Sequence, residues 1–101
     1  MSTDTEIVLD EKISLDVKEP KKCKVVFLND NGTPMEFVID VLQNIYKHTH
    51  EIAVDITMKI HTEGSGIVGV YSHEIAEMKA TETTSQARNH GFPLQVKIEE
   101  E

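Results

Sequence analysis

From residue 24 onward, apolar residues recur with strand or helix spacing between clear turn signals. In residues 24–28 (KVVFL), the apolar side chains would point to both faces of a strand, which predicts a central strand. Helical spacing begins after Pro34, after His50 and after Ser72, and Gly64 and Gly91 are typical of the ends of the second and third helices. The predicted spans are a strand at 24–28, helices at about 34–48 and 50–62, a strand at 67–71, a helix at about 72–89, and a strand at 94–98.

Each predicted helix has an apolar or small-residue face that a sheet could bury. These faces are Phe37, Val38, Val41, Leu42 and Ile45 in the first helix, Ile52, Ala53, Ile56 and Ile60 in the second, and Ala76, Ala80, Thr83 and Ala87 in the third. The order β-α-α-β-α-β therefore predicts an α+β fold, with a three-stranded antiparallel sheet packed against three helices. Residues 1–22 have no clean period and end in Pro20 and two lysines, so we expect a flexible N-terminal tail before a domain at 23–101.

A polar turn, residues 29–32 (NDNG), leads into the first helix. Thr33, Pro34 and Glu36 follow with the spacing of a capping box, in which Thr33 is the N-cap. The turn carries several side-chain oxygens, which could accept hydrogen bonds from a cation, or it could be a plain connecting turn. His61, at the border of the core face of the second helix, is either a packing residue or, if it neighbours this turn, a further acceptor.

Composition and charge narrow the function. The chain has 101 residues and a net charge of -8, which argues against binding nucleic acid or an anionic membrane. Its apolar runs are too short to span a bilayer. One cysteine, Cys23, and no opening signal segment lead us to expect a cytoplasmic protein, with a monomer as the default.

Neither a metal site nor catalysis is expected. His48 and His50 are two residues apart and do not share a helix face, and no second pair has ligand spacing. The chain lacks a G-x-S-x-G motif, a P-loop and a cysteine–histidine catalytic signature. We therefore expect a binding protein that is not an enzyme and has no cofactor.

Three segments together resemble the ClpS family, and they span essentially the whole predicted domain. They are KVVFLNDNGTPMEFVIDVLQ (24–43), IHTEGSGIVGVYSHEIAEMKA (60–80) and FPLQVKIEEE (92–101). Members of this family are adaptors that bind the free α-amino group and the first side chain of N-degron substrates, commonly Leu, Phe, Tyr or Trp. The resemblance implies delivery of such substrates to the N-terminal domain of a ClpA- or ClpC-type AAA+ unfoldase, on which the mobile tail also acts.

The resemblance also implies roles for individual residues. Asn29, Asp30, Asn31 and His61 match α-amino-binding positions. The hydrophobic pocket corresponds to Thr33, Met35, Val38, Thr57, Ile60 and Leu94, with Met35 guarding it. Glu74 and Lys79 match positions that contact the unfoldase.

Three positions depart from the family pattern. Asn31 replaces a second carboxylate, which predicts about tenfold weaker binding of the amine, because hydrogen bonds to charged groups are stronger than neutral ones. Thr57 replaces a methionine, which predicts a wider or reshaped pocket that admits Ile or Val at the first position. Gly32 replaces a larger residue and is expected to loosen the loop.

Two other classes of function stay open at this point. A ribosome-stalk-like interaction domain has the same order of elements but would need neither the NDN turn nor His61. A small enzyme or metal protein that uses the histidines would be indicated by stoichiometric zinc.

Overall fold

The structure is a computed structural model that describes residues 21–101. Its elements, in chain order, are β1 (Lys22–Leu28), α1 (Met35–Asn44), α2 (His50–Glu63), β2 (Ser65–Ser72), α3 (His73–Asn89) and β3 (Gln95–Glu100). The predicted order of three helices and three strands, and the α+β class, are confirmed.

The sheet is antiparallel throughout, with the strand order β2-β1-β3. β1 is central, as its apolar residues on both faces predict. Cys23, Val25 and Phe27 are buried in the core beside α1, α2 and α3, while Val26 faces away from that core and is still buried. The sheet therefore presents one face to the helices, and the C-terminal end of β1 leads directly into the polar turn.

A β-bulge interrupts the pairing of β1 with β2. Val25 lies opposite Gly69, whereas Val26 lies opposite Ile67, so Val68 is the extra residue. The carbonyl oxygen of Val68 accepts a hydrogen bond of 2.6 Å from Nε2 of His48. This hydrogen bond gives the Val68 carbonyl a partner where the strand pairing is interrupted. His48, which was considered as a metal ligand, therefore has a structural role.

The predicted capping box is wrong, and α1 is shorter than expected. The N-cap is Pro34, in an extended conformation and without a side-chain cap, and the Thr33 hydroxyl donates to Asp30 within the preceding turn. The helix ends at Asn44 rather than near His48, and Lys47 then adopts a positive φ of 63°. The chain thus reverses before α2 over a short irregular segment.

The other two helices are close to prediction. The Thr49 side chain caps α2 by accepting from the Ile52 amide, and Gly64 ends the helix with a φ of 90°. Ile52 was wrongly assigned to the buried face, since its side chain is 46% exposed. The confirmed inward face of α3 consists of Ala76, Ala80, Thr83 and Ala87, all buried.

The predicted tail falls mostly outside the described residues. Lys22 is already part of β1, and its carbonyl accepts from the Glu101 amide at 3.0 Å, so the sheet begins one residue before the predicted boundary. No helix in the described part of the chain combines the length and apolar character that crossing a membrane requires.

Candidate functional site

A narrow cleft opens where the end of β1, the polar turn, α1 and α2 meet. The space between its walls, open solvent included, is about 310 Å³. The cleft is lined by Phe27, Leu28, Asn29, Asp30, Thr33, Met35, Val38, Thr57, Ile60, His61 and Leu94.

The lining separates into a polar mouth and an interior that is apolar except for the Thr57 hydroxyl. Asn29 and His61 are exposed, and Asp30 is half-buried beside them. The interior residues are all buried, namely Phe27, Val38, Thr57, Ile60 and Leu94. Such a site can accept hydrogen bonds from a polar group at the opening while it removes an attached apolar group from water.

Asp30 organises the turn through three hydrogen bonds. Its Oδ1 accepts from the backbone amides of Gly32 and Thr33, both at 2.7 Å, and its Oδ2 accepts from the Thr33 hydroxyl at 2.9 Å. A carboxylate oxygen can accept two hydrogen bonds, so Oδ1 is saturated and Oδ2 retains one lone pair. The negative charge and one acceptor position therefore remain available at the mouth.

A backbone hydrogen bond brings the turn to the end of α2. The amide of Asn29 donates to the carbonyl of Gly64 at 2.9 Å. Because Gly64 directly follows α2, this bond fixes Asn29 close to the last turn of that helix, which carries His61. Two acceptor side chains that are distant in sequence thus share one opening.

Gly32 packs closely on the segment that precedes β3. A Cβ atom at Gly32 would lie 2.9 Å from both Cδ and Cγ of Pro93, which is closer than such contacts allow. The neighbouring Leu94 forms part of the cleft wall, and Phe92 packs against Phe37 with ring centroids 5.0 Å apart. These contacts join the turn to the cleft wall, so they do not support the expected loosening at Gly32.

Met35 lies at the opening of the cleft, and Thr57 lies in its buried interior. Met35, the first residue of α1, is 37% exposed, and its unbranched side chain can change rotamer at low cost. Thr57 is only 3% exposed, and its hydroxyl donates to the carbonyl of Ala53 at 2.8 Å. The hydroxyl hydrogen is therefore used within α2.

Three predicted site residues lie outside the cleft lining. Asn31 is exposed on the turn, and Glu74 is exposed in the first turn of α3. Lys79 is half-buried, and its ammonium group donates to the carbonyl of Ile45 at 2.7 Å. These residues do not form part of one site with the mouth and the apolar interior.

The Lys79 ammonium group takes part in a network between α1 and α3. It lies 5.7 Å and 5.2 Å from the ring centroids of Tyr46 and Tyr71, within cation–π range. The Thr83 hydroxyl donates to the Lys79 carbonyl at 2.7 Å, so the Tyr46 hydroxyl, 2.9 Å from Thr83 Oγ1, donates to Thr83. Burial raises the pKa of Tyr46 to about 12, which keeps this donor protonated.

Two residues of the cleft lining, Phe27 and Leu28, were not predicted as site residues. Both belong to β1 and were assigned only to a central strand; their position directly before the polar turn was the available signal. Across residues 21–101, no group of three or more His, Cys, Asp or Glu side chains is placed to hold a metal ion.

Comparison with known proteins gives consistent matches. A family model described as "ATP-dependent Clp protease adaptor protein ClpS" matches residues 18–97. Proteins named ATP-dependent Clp protease adapter protein ClpS from Burkholderia cenocepacia (strain HI2424) and Burkholderia mallei (strain SAVP1) are each 46% identical over 84 residues, which is 83% of this chain and 81% of theirs. The structure of Agrobacterium tumefaciens ClpS2 bound to L-phenylalaninamide is similar with a TM-score of 0.79 and 40% identity, covering 82% of this chain and 100% of that one.

Proposed function

This chain belongs to the ClpS family of Clp protease adaptors, and we propose that it binds N-degron substrates and delivers them to a ClpA- or ClpC-type AAA+ unfoldase. The observation that carries the proposal is a mouth lined by acceptors above a buried apolar cleft. L-Phenylalaninamide, bound by the similar ClpS2, consists of a free α-amino group and an aromatic side chain, which correspond to these two parts.

The mouth is suited to an α-ammonium group. Such a group has three N–H donors, and removing them from water without partners is costly. Asn29 and a neutral His61 supply two acceptors, and the free lone pair of Asp30 Oδ2 supplies a third together with a negative charge. We infer that Asn29 and His61 bind the amine directly, and that Asp30 both attracts it and shapes the turn.

The buried interior is suited to a large apolar first side chain, which Met35 closes over. Complete burial of such a side chain contributes about 1.5–3 kcal/mol. In titrations of labelled peptides that differ only in the first residue, we expect Phe and Leu to bind at least about tenfold more tightly than Ala. Equal affinity for Phe, Ala and Lys at the first position would contradict the proposal.

We propose that Thr57, where the family resemblance implies a methionine, leaves room in the cleft for Ile and Val beside Leu and Phe. The change Thr57→Met adds volume to a buried position, so it is expected to lower the affinity for Ile- and Val-first peptides by about tenfold relative to Leu, the effect of one or two misfitted methyl groups. Competition titrations with the four peptides measure this ratio. An unchanged order of preference in the Thr57→Met protein would contradict the role of Thr57.

The turn carries one carboxylate where the family resemblance implies two, so we propose that Asn31→Asp tightens binding of a free amine. Because Asn31 is exposed and outside the cleft lining, screened attraction is its main contribution, and we expect about a two- to fivefold gain rather than the tenfold that the sequence suggested. The gain should shrink as salt is raised. An affinity that does not change in Asn31→Asp at low salt would show that this position has no part in amine binding.

For contact with the unfoldase, Glu74 is the better of the two candidates. Its side chain is exposed, whereas the Lys79 ammonium group is already used between α1 and α3. We propose that Lys79 supports this surface mainly by fixing the position of α3. We also propose that residues 1–22 act on the unfoldase as a tail, with the folded adaptor domain acting as a monomer.

A further inference from the structure

We propose that Thr57 is a specificity-determining residue, whose hydroxyl oxygen accepts a hydrogen bond from the phenol of an N-terminal tyrosine, so that the cleft prefers tyrosine to phenylalanine. The inference rests on the proposed function, because it assumes that the first side chain of a peptide occupies the cleft. It goes beyond that function by selecting one aromatic residue over another.

The depth of Thr57 matches the far end of an aromatic side chain. Thr57 and His61 are four residues apart on α2, so they lie on one face and about 6 Å apart along the helix. His61 is exposed at the mouth, whereas Thr57 is buried. A first residue whose amine contacts His61 and whose ring enters the cleft therefore brings its para position to the level of Thr57.

The hydrogen bonding of Thr57 makes it an acceptor toward a ligand. Its single hydroxyl hydrogen is donated to the Ala53 carbonyl at 2.8 Å, so it cannot also donate into the cleft. A hydroxyl oxygen has two lone pairs, and within residues 21–101 the hydrogen bond to Ala53 is the one that Oγ1 makes. A ligand group that donates, as a phenol does, is complementary to this oxygen.

The surroundings of Thr57 make this contact selective. Of the buried side chains that line the cleft in the described residues, Thr57 alone carries a polar group. The others are Phe27, Val38, Ile60 and Leu94. If Thr57 lost its oxygen, none of the buried side chains that line the cleft in the described residues could accept from a phenol, and a buried unsatisfied hydroxyl is costly.

The test compares peptides that begin with Tyr, Phe or 4-fluorophenylalanine, bound to the unaltered full chain and to Thr57→Val. Valine keeps the branched shape but has no oxygen, and Thr57→Ser keeps the oxygen as a conservative control. In the unaltered protein we expect Tyr to bind about two- to tenfold more tightly than Phe, the effect of one neutral hydrogen bond. The preference should disappear or reverse in Thr57→Val and persist in Thr57→Ser.

The fluorinated peptide keeps the test valid even if Thr57→Val does not fold. Its para substituent cannot donate, so it should bind the unaltered protein like Phe and not like Tyr. A Tyr to Phe affinity ratio of one or less in the unaltered protein, or the same ratio in Thr57→Val, would overturn the inference while leaving the proposed function intact. Failure of all three free-amine peptides to bind the unaltered protein would overturn the proposed function itself.

Discussion

Replacing Asp30 with alanine is expected to weaken binding of peptides with a free N-terminus by about a hundredfold or more. The change removes three hydrogen bonds to a charged acceptor, and those bonds hold Gly32 and Thr33 in the turn. It also removes the carboxylate charge from the mouth. One hundredfold corresponds to about 2.7 kcal/mol, which is within reach of these combined losses. Fluorescence anisotropy with a labelled Phe-first peptide measures the effect.

Two variants separate the geometry of the turn from its charge. Asp30→Asn keeps a carbonyl oxygen that can accept both backbone amides, but its amide nitrogen cannot accept from the Thr33 hydroxyl. We expect an intermediate loss of about tenfold. Asp40→Ala removes an equal charge from an exposed position of α1 outside the cleft, so it should bind normally. Asp30→Ala binding as tightly as Asp40→Ala would contradict the role of Asp30.

Replacing His61 with alanine is the second change with a large expected effect. It removes one acceptor of the α-ammonium group, and an unpaired donor at a partly desolvated site costs about 1–3 kcal/mol. We therefore expect affinity for free-amine peptides to fall roughly tenfold to a hundredfold. Isothermal titration calorimetry with the same Phe-first peptide would give the loss directly.

His50 provides the matched control on the same helix. Its Nδ1 lies 3.2 Å from Oε1 of Gln43, and it is exposed and outside the cleft lining. His50→Ala should leave peptide affinity within about twofold of the unaltered protein, as is usual for exposed positions away from a site. Equal losses in the two alanine variants would indicate a general effect of α2 and not an acceptor at the mouth.

Features of the fold that depend on local sequence patterns could be predicted from the sequence. The apolar residues of β1, the alanine face of α3 and the left-handed Gly64 are local signals, and the structure follows each of them. The start of α1 could not be predicted in this way. Thr33 and Asp30 are both capping residues by type, but Asp30 accepts from the Gly32 and Thr33 amides within the turn, and the N-cap position falls on Pro34 rather than on Thr33.

The candidate site was less accessible to sequence reasoning, because long-range contacts create it. Asn29 and His61 become neighbours through the hydrogen bond from the Asn29 amide to Gly64, which no local pattern indicates. The family resemblance supplied this pairing. The structural role of Lys79 could not be predicted either, because its ammonium group contacts the end of α1 and the rings of Tyr46 and Tyr71, which lie outside α3.

The alternative of a stalk-like interaction domain predicted the same order of elements, so the order alone could not exclude it. The family model over residues 18–97 and relatives at 46% identity assign the chain to ClpS instead. His48, one of the histidines considered as metal ligands, has a structural role instead, because it donates to the carbonyl of Val68 at the β-bulge.

The central claim is that the mouth recognises a free α-amino group, and Nα-acetylation of one peptide tests it most directly. Acetylation removes the charge and two of the three N–H donors while the first side chain stays the same. Titrating a Phe-first peptide in its free and acetylated forms should show at least about a hundredfold loss on acetylation, since charged hydrogen bonds are lost and acceptors are left unpaired. Acetylated peptide that binds as tightly as the free form would contradict the account.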